Sequence, residues 1–481
     1  MTEPRILPSP KTPYEVARQV LHTVYVDEAG HFLLAYWRGD WWAYTGMHWQ
    51  RHAQDATKDG ELQIRGELYE LCANAIYPSG DSSKMVPWDP NSSKISNVLD
   101  ALKPMANAVL RDTDNHPCRI GAPDRVPGKP TDYVSLQNGL FNWRTGDLIG
   151  HAPELFTTYT LPYAFDSDAQ APVWHQFLKG VFAHDPRGML LLQEFAGYVI
   201  SGRTDLHKGL MIIGPRRAGK GTILRVLTML LGVHNVATPT LNSLGTDSGQ
   251  AALIGRPLAV IGDARAVEPR NANQVTEFLL NCIGEDGVSI GRKYLSNWTG
   301  RLPTRIIVAS NEVPRLIDSS GAVVSRFMSV RLVQSYEGKE DNSLGEKLER
   351  ELSGILNWAL EGLRRLEEHG RFTVPDTMED MNEHLRSLAS PATQFVEDHL
   401  EVTGDSGDMV ERAELFRVWE EWNTENGTKA TGAEEMCRRL NAADARITYG
   451  IREVPGAVPK PGHKRAKRTR YVIGVKQLPN F

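Results

Sequence analysis

The stretch from Leu206 to Gly232 reads LHKGLMIIGPRRAGKGTILRVLTMLLG. It opens with an apolar run of strand length, Leu210 to Ile213. A glycine-rich loop follows: Gly214-Pro215-Arg216-Arg217-Ala218-Gly219-Lys220-Gly221-Thr222. Beyond it Ile223, Leu224, Val226, Leu227, Leu230 and Leu231 recur at helical spacing. Strand, loop and helix in this order predict a phosphate-binding loop. Gly214 and Gly219 let backbone N–H groups close around a phosphate. The helix N-terminus adds partial positive charge, and Lys220 supplies an ammonium for the outer phosphates. Gly221 stands where a Ser or Thr normally offers a hydroxyl to Mg²⁺. Thr222, the next residue, can contact a phosphate instead. A magnesium ion is then expected to be held through water and a downstream carboxylate. The G-K-G-T ending also occurs in nucleotide kinases, and that alternative stays open.

Downstream, strands and helices alternate over about 203–335 with lengths that suit an α/β nucleotide-binding core. Leu258 to Ile261 is a buried-type strand followed by Gly262-Asp263. An acid at such a strand end can organise Mg²⁺ and polarise water; a turn-forming Asp is the plainer alternative. Asn273 to Ile283 is an amphipathic helix. Gly284 to Lys293 is a polar segment, basic at Arg292 and Lys293, with the character of a loop or hairpin. Arg305 to Ala309 is a further strand, ending in Ser310-Asn311, whose amide can bond a water or a γ-phosphate. Asp318 to Gly321 forms a turn before Ala322 to Phe327, and Met328 to Leu332 is a last short strand.

Upstream, residues 1–12 are Pro-rich and expected to be flexible. Tyr14 to Val26 and Glu67 to Tyr77 read as helices. His31 to Trp49 alternates aromatic and polar residues around Arg38-Gly39-Asp40, a β-hairpin pattern. Its aromatics could stack on bases or simply pack a sheet. Tyr133 to Gly150 is a second hairpin, with turns at Asn138-Gly139 and Thr145-Gly146-Asp147. Ala171 to Ala183 and Met189 to Ser201 are helices leading into the phosphate-loop strand. Residues 344–370 carry an apolar helical stripe that suits core packing. A linker falls at 371–392, where Pro375 and Pro391 punctuate. The last ninety or so residues form a separate unit: helices at Glu411–Asn423 and Ala433–Leu440, then strands at Ile447–Val454 and Arg468–Val475. The loop between those strands carries Lys460, His463, Lys464, Arg465 and Lys467. Two helices and a basic hairpin make the layout of a winged helix.

Composition bounds the reading. The 481 residues are 41% hydrophobic and 23% charged, as in a soluble globular chain of two to four domains. No apolar run reaches the length of a membrane span, and the N-terminus lacks a signal-peptide core. Four cysteines, Cys72, Cys118, Cys282 and Cys437, lie far apart. That argues against a zinc ribbon or a disulfide framework and fits a reducing cytoplasm. The net charge of −5 confines any nucleic-acid binding to local basic patches.

With these elements placed, the chain resembles a superfamily 3 helicase of the phage, plasmid and poxvirus primase–helicase type over roughly 20–478. The segment Asn138 to Phe165, with Trp174 and Gln193 to Tyr198, resembles that family's helical N-terminal domain. Gly214 to Thr222 resembles its motif A. Leu253 to Asp263 resembles motif B, and Gly284 to Tyr294 the motif whose hairpin tracks single-stranded DNA in the ring channel. Pro303 to Asn311-Glu312-Val313-Pro314 resembles motif C, and Gly321 to Phe327 the segment with the arginine finger. The chain departs from the family at Gly221 and in having one motif B acid, Asp263. Only about 20 residues precede the resemblance, too few for a primase domain, so no primer synthesis is expected.

The resemblance implies an α/β P-loop AAA+ core at 201–370, an α+β N-terminal domain at 13–200, and a winged helix at 393–481. It implies an ATP- and Mg²⁺-dependent helicase acting on DNA as a homo-oligomeric ring, a hexamer, in phage or mobile-element replication. The setting is the cytoplasm of a bacterial host, with a separate primase or polymerase as partner and no membrane. Lys220 and the loop from Gly214 to Thr222 hold phosphates, and Asp263, with Thr222 nearby, organises Mg²⁺. Asn311 senses the γ-phosphate, and Arg326 reaches the neighbour's ATP. Arg292 and Lys293 contact single-stranded DNA. Lys460, Lys464, Arg465 and Lys467 contact duplex DNA. Two rivals remain: a nucleotide kinase, and an ATP-switched initiator or loader that remodels DNA without unwinding it.

Overall fold

The computed structural model describes residues 4–52, 60–79, 84–107, 110–111, 114–120, 126–262, 264, 272–292, 295–314, 316, 322–339, 341–389, 391–426, 430–454 and 468–478. At the N-terminal end, α1 (Pro13–Thr23), α2 (Gly60–Ala73) and α3 (Ser92–Asn107) surround a core that includes Val16, Val20, Leu68, Ile95 and Leu99. Between α1 and α2 lies an antiparallel sheet of β1 (Leu34–Trp37), β2 (Asp40–Tyr44) and β3 (Trp49–Arg51). Its Trp37, Trp42 and Trp49 are buried around Phe156. The aromatics therefore pack the sheet and are not a platform open to bases.

Two expectations fail in this region for local reasons. The helix expected over Glu67 to Tyr77 stops at Ala73, and Ala75–Ser79 is a strand. Pro78 disfavours helix, and Ile76 and Tyr77 suit a sheet. The leader expected to be flexible is tied down from Arg5 onward. Arg5–Ile6 pairs in parallel with Ala75–Ile76, Leu7 is buried, and Trp88 Nε1 donates to the Pro8 carbonyl at 3.0 Å. Proline suits such an edge because it needs no ladder donor.

The middle of the chain builds a three-stranded meander, β4 (Tyr133–Leu136), β5 (Gly139–Asn142) and β6 (Leu148–Ile149), then α4 (Pro172–Val181) and α5 (Pro186–Ile200). The elements of the central sheet follow: β7 (Gly209–Ile213), α6 (Lys220–Leu231), β8 (Val236–Ala237), β9 (Leu258–Ile261) and α7 (Ala272–Gly284). Next come the hairpin β10 (Val288–Arg292) and β11 (Leu295–Gly300), then β12 (Arg305–Ser310), β13 (Phe327–Arg331) and α8 (Leu352–His369).

Five of these strands form a parallel sheet in the order β13-β7-β12-β9-β8. Side chains alternate across it, as strand geometry requires. Leu210 and Ile212 face a core shared with α4, α5, α6 and α8. Met211 and Ile213 face the other, shared with α7 and the β10–β11 hairpin. Both faces are covered, so the strands read as continuous apolar runs.

Helices α5 and α8 cross closely. A Cβ at Gly197 would press on the Ala359 carbonyl and Leu363, and one at Gly362 on the Gln193 carbonyl. Glu194, fully buried on α5, pairs with Arg365 at 2.7 Å and accepts from Thr373. The buried Arg305, at the start of β12, donates to the Val199 carbonyl at 3.0 Å. That places a cation at the negative end of α5, although burial lowers its pKa. Together these contacts fix α5 against the sheet.

The stretch expected as a linker contains α9 (Met378–Ala389), which buries Met378, Met381 and Leu385 at helical spacing. The C-terminal elements are α10 (Pro391–His399), β14 (Met409–Glu411), α11 (Arg412–Glu425), α12 (Ala433–Ala443), β15 (Thr448–Glu453) and β16 (Arg468–Ile473). Their sheet is antiparallel in the order β14-β16-β15. Its core includes Phe395, Leu415, Trp419, Met436 and Val472. No helix among the described residues is long and apolar enough to cross a membrane.

Candidate nucleotide-binding site

A cleft of about 1300 Å³ opens at the C-terminal ends of the parallel strands. That is where open α/β sheets bind ligands. Residues Arg216 to Thr222 line it, with Gly262, Ser310 and Asn311 from neighbouring strand ends. β7 turns into the loop at Gly214, where a Cβ would collide with the Leu332 carbonyl. Arg217 and Gly219 both have positive φ, 58° and 94°. Gly219 also lies against Phe177 and Val181, so that an added Cβ would sit 3.1 Å from each. The loop thus needs glycine at 214 for closeness and at 219 for both closeness and backbone angle.

The Lys220 ammonium donates to the carbonyls of Gly214 at 2.6 Å and Pro215 at 2.7 Å, and to Asn311 Oδ1 at 3.0 Å. The parallel pairing of β7 with β12, Ile213 against Ser310, delivers Asn311 to the lysine. The two residues singled out 91 positions apart are therefore in contact. Thr222 lines the same cleft. A Cβ at Gly221 would meet nothing within 4 Å, so the missing hydroxyl there is no steric requirement. Among the described residues, no group of three or more His, Cys, Asp or Glu could hold a metal ion.

Part of the wall was not legible in the motifs. The chain after β13 folds back over the loop. Ser335 Oγ donates to the Arg216 carbonyl and the Tyr336 N–H to the Arg217 carbonyl, each at 2.9 Å. Tyr336, Lys339, Asp341 and Asn342 line that side, and Gln176 and Phe177 of α4 line the other. Glu351 braces α4 by accepting from the N–H groups of Val173 and Trp174, both at 3.0 Å. Asp341 is held down to about 2 by hydrogen bonds from Lys347 and Ser343.

Arg326 lies elsewhere. It ends the short helix Ala322–Arg326, just before β13, and Phe327 pairs with Gly209 at the start of β7. Its guanidinium lies against Gly284, as does the Asp286 carboxylate. The Lys208 ammonium donates to the neighbouring Ser325 carbonyl. Burial and the Arg326 charge lower the Lys208 pKa.

Arg292 corrects an expectation. It is not an exposed channel cation: its side chain is only 3% exposed and pairs with Asp40 at 3.1 Å. A phosphate cannot reach it in this arrangement. Asp263, Lys293, Lys460, Lys464, Arg465 and Lys467 lie outside the described residues, as does the turn at Asp318 to Gly321.

Comparison with known proteins adds two family matches. Residues 22–183 match the D5 N-terminal-like domain model. That domain is the N-terminal part of phage and plasmid primase–helicases, and the match supports a protein of primase–helicase type. Residues 212–326, from the phosphate-loop strand to Arg326, match a family of unknown function (DUF5906). Among solved structures, the chain is similar to the apo C-terminal region of NrS-1. One such structure (residues 305–718) has 12% identity and a TM-score of 0.41, covering 97% of this chain and 99% of that one. Another has 12% identity and a TM-score of 0.36, covering 65% and 79%. Scores this low do not establish a common fold.

Proposed function

We propose that the chain is an ATP-hydrolysing DNA translocase or helicase of superfamily 3, working as a ring in phage or mobile-element replication. The observation that carries the reading is the contact of Lys220 with Asn311 at adjacent strand ends. A cationic lysine on the loop and an amide on the next strand suit γ-phosphate binding and sensing. Counting the core strands along the chain, the sheet order becomes 5-1-4-3-2, which suits a P-loop AAA+ core. The C-terminal order of helix, strand, two helices and hairpin suits a winged helix. The D5 N-terminal-like match supports the replication context.

In this reading the N–H groups from Arg216 to Thr222 and the Lys220 ammonium bind the triphosphate. Phe177 and Tyr336 flank the remaining space and suit the base. Thr222 and Asp263, the latter on sequence grounds alone, would hold magnesium, which would supply charge neutralisation at the phosphates. Asn311 orients the terminal phosphate or the attacking water. Arg326 faces away from its own cleft, so it would complete a neighbour's site. A ring, a hexamer by family resemblance, supplies that neighbour.

The burial of Arg292 favours a second reading, an ATP-switched initiator or loader. A hairpin clasped by the N-terminal sheet does not track a strand while it stays clasped. The two readings part in one experiment. Purified chain with ATP, Mg²⁺ and a forked duplex should hydrolyse ATP faster with single-stranded DNA and displace the labelled strand. DNA-stimulated hydrolysis without displacement would replace the helicase by the loader. Transfer of phosphate to a nucleoside monophosphate, with no response to DNA, would replace both by a kinase.

A further inference from the structure

The charge of the cleft and the missing hydroxyl at Gly221 belong together. Arg216, Arg217, Lys220, Arg225 and Lys339 line the cleft, against Glu312 and Asp341 among the described residues. Asp341 is already engaged by Lys347 at 2.8 Å. Arg216, Arg225 and Lys339 come from the loop, from α6 and from the segment after β13. None of these three has an ion-pair partner among the described residues. Unpaired cations brought to one cavity by separate elements attract a polyanion.

Arg225 lies outside the loop motif. It follows Gly221 by four residues on α6, so the two share a helix face. Helical side chains lean toward the N-terminus, which directs Arg225 back toward Gly221 and the loop. The space above Gly221 is open, since a Cβ there would meet nothing within 4 Å. Arg225 is exposed, and its Nη1 lies 3.6 Å from where a Cβ of Gly345 would sit. Held by no acid, the guanidinium can swing from there into the open space. A hydroxyl at 221 would bring a metal ion to that place. Glycine leaves the place to a cation of the chain itself, and a guanidinium fork matches two phosphate oxygens at once.

We infer that Arg225, with Arg216 and Lys339, supplies the counter-charge for which a motif A hydroxyl normally recruits a metal, and that the cleft takes up a nucleoside triphosphate free of Mg²⁺. This rests on the nucleotide reading above and adds the form in which the ligand is bound. A metal-free triphosphate carries more negative charge than its magnesium complex, so a cleft lined by cations favours it. Magnesium is then a requirement of hydrolysis and not of binding.

The test is equilibrium binding of a fluorescent, non-hydrolysable ATP analogue to the full chain, in EDTA and in Mg²⁺. The wild-type chain should bind at least as tightly in EDTA as in Mg²⁺. Arg225→Ala should weaken binding about tenfold in EDTA, the worth of one charged hydrogen bond. Its loss should be clearly smaller in Mg²⁺, where the ion replaces the missing charge. Lys179→Ala, which removes an exposed cation of α4 outside the cleft lining, controls for net charge and should change neither affinity. Wild-type binding that requires Mg²⁺ overturns the inference and leaves the nucleotide reading standing. So does an Arg225→Ala loss that is equal in the two buffers, or one that Lys179→Ala matches. The wild-type comparison depends on no variant's folding. Absence of binding in both buffers would remove the nucleotide reading itself, and the inference with it.

Discussion

The two ends of β7 present different polar groups. At the C-terminal end, Ile213 leads into the loop, and Lys220 meets Asn311. At the N-terminal end, Gly209 pairs with Phe327, which brings Arg326 beside Lys208. Five extended residues separate them by roughly 13 Å of strand, with the packed sheet between. A rigid, fully covered sheet does not bend to bring its ends together. On the proposed reading, the difference means that one copy of the chain would hold the phosphate site while Arg326 serves a neighbour's.

The hardest test of that contrast is Arg326→Ala. As a finger in a neighbour's site, its loss should slow hydrolysis by roughly 10³–10⁵. Lysine should not restore the rate, since a point charge lacks the planar fork. Arg326→Ala mixed with Lys220→Ala should regain partial activity after subunit exchange, because some boundaries then pair intact residues. Wild-type turnover by Arg326→Ala would dissolve the contrast between the two ends.

A smaller effect sharpens the C-terminal end. Asn311→Ala removes one hydrogen bond to a charged group, about 1.5–3 kcal/mol, so single-turnover hydrolysis should slow about tenfold to a hundredfold. Nucleotide affinity, from a fluorescent analogue, should change far less. An affinity loss as large as the rate loss would make Asn311 a tether for Lys220 and nothing more.

The smallest effect concerns Gly221. A Cβ there meets nothing within 4 Å and serine replaces a helical glycine, so the chain should gain about 0.5 kcal/mol in thermal denaturation. Hydrolysis should reach its maximum at lower Mg²⁺, since the new hydroxyl lies where motif A usually provides one. An unchanged Mg²⁺ titration would mean that the ion does not approach this turn of α6.

What was legible in the sequence follows from how local each signal is. The strand at Leu258–Ile261 and the helix over α7 are set by runs and spacings within one element. Lys220 and Asn311 were each legible from the loop and strand-end patterns, but their contact was not: it follows from β7 and β12 being parallel neighbours, with Lys220 opening α6 after the loop. Arg292 was misplaced because its partner lies 252 residues away, and no spacing rule reaches that far. Phe177 and Tyr336 were missed for the same reason, since they flank the cleft from separate elements. The helix within 371–392 is short and flanked by Pro375 and Pro391, which read as linker punctuation, although Met378, Met381 and Leu385 keep helical spacing.

The cradle of Lys220 has a consequence for timing. Its ammonium is shared between two loop carbonyls and the Asn311 amide. In the proposed function, a phosphate strong enough to draw the ammonium outward would also unhook Asn311. Arrival of the anion and arming of the sensor would then be one event. A weak or misplaced anion that leaves the lysine in its cradle leaves the amide occupied as well. On the proposed reading the loop would act as a coincidence detector, with a threshold set by oxygen atoms of the chain itself.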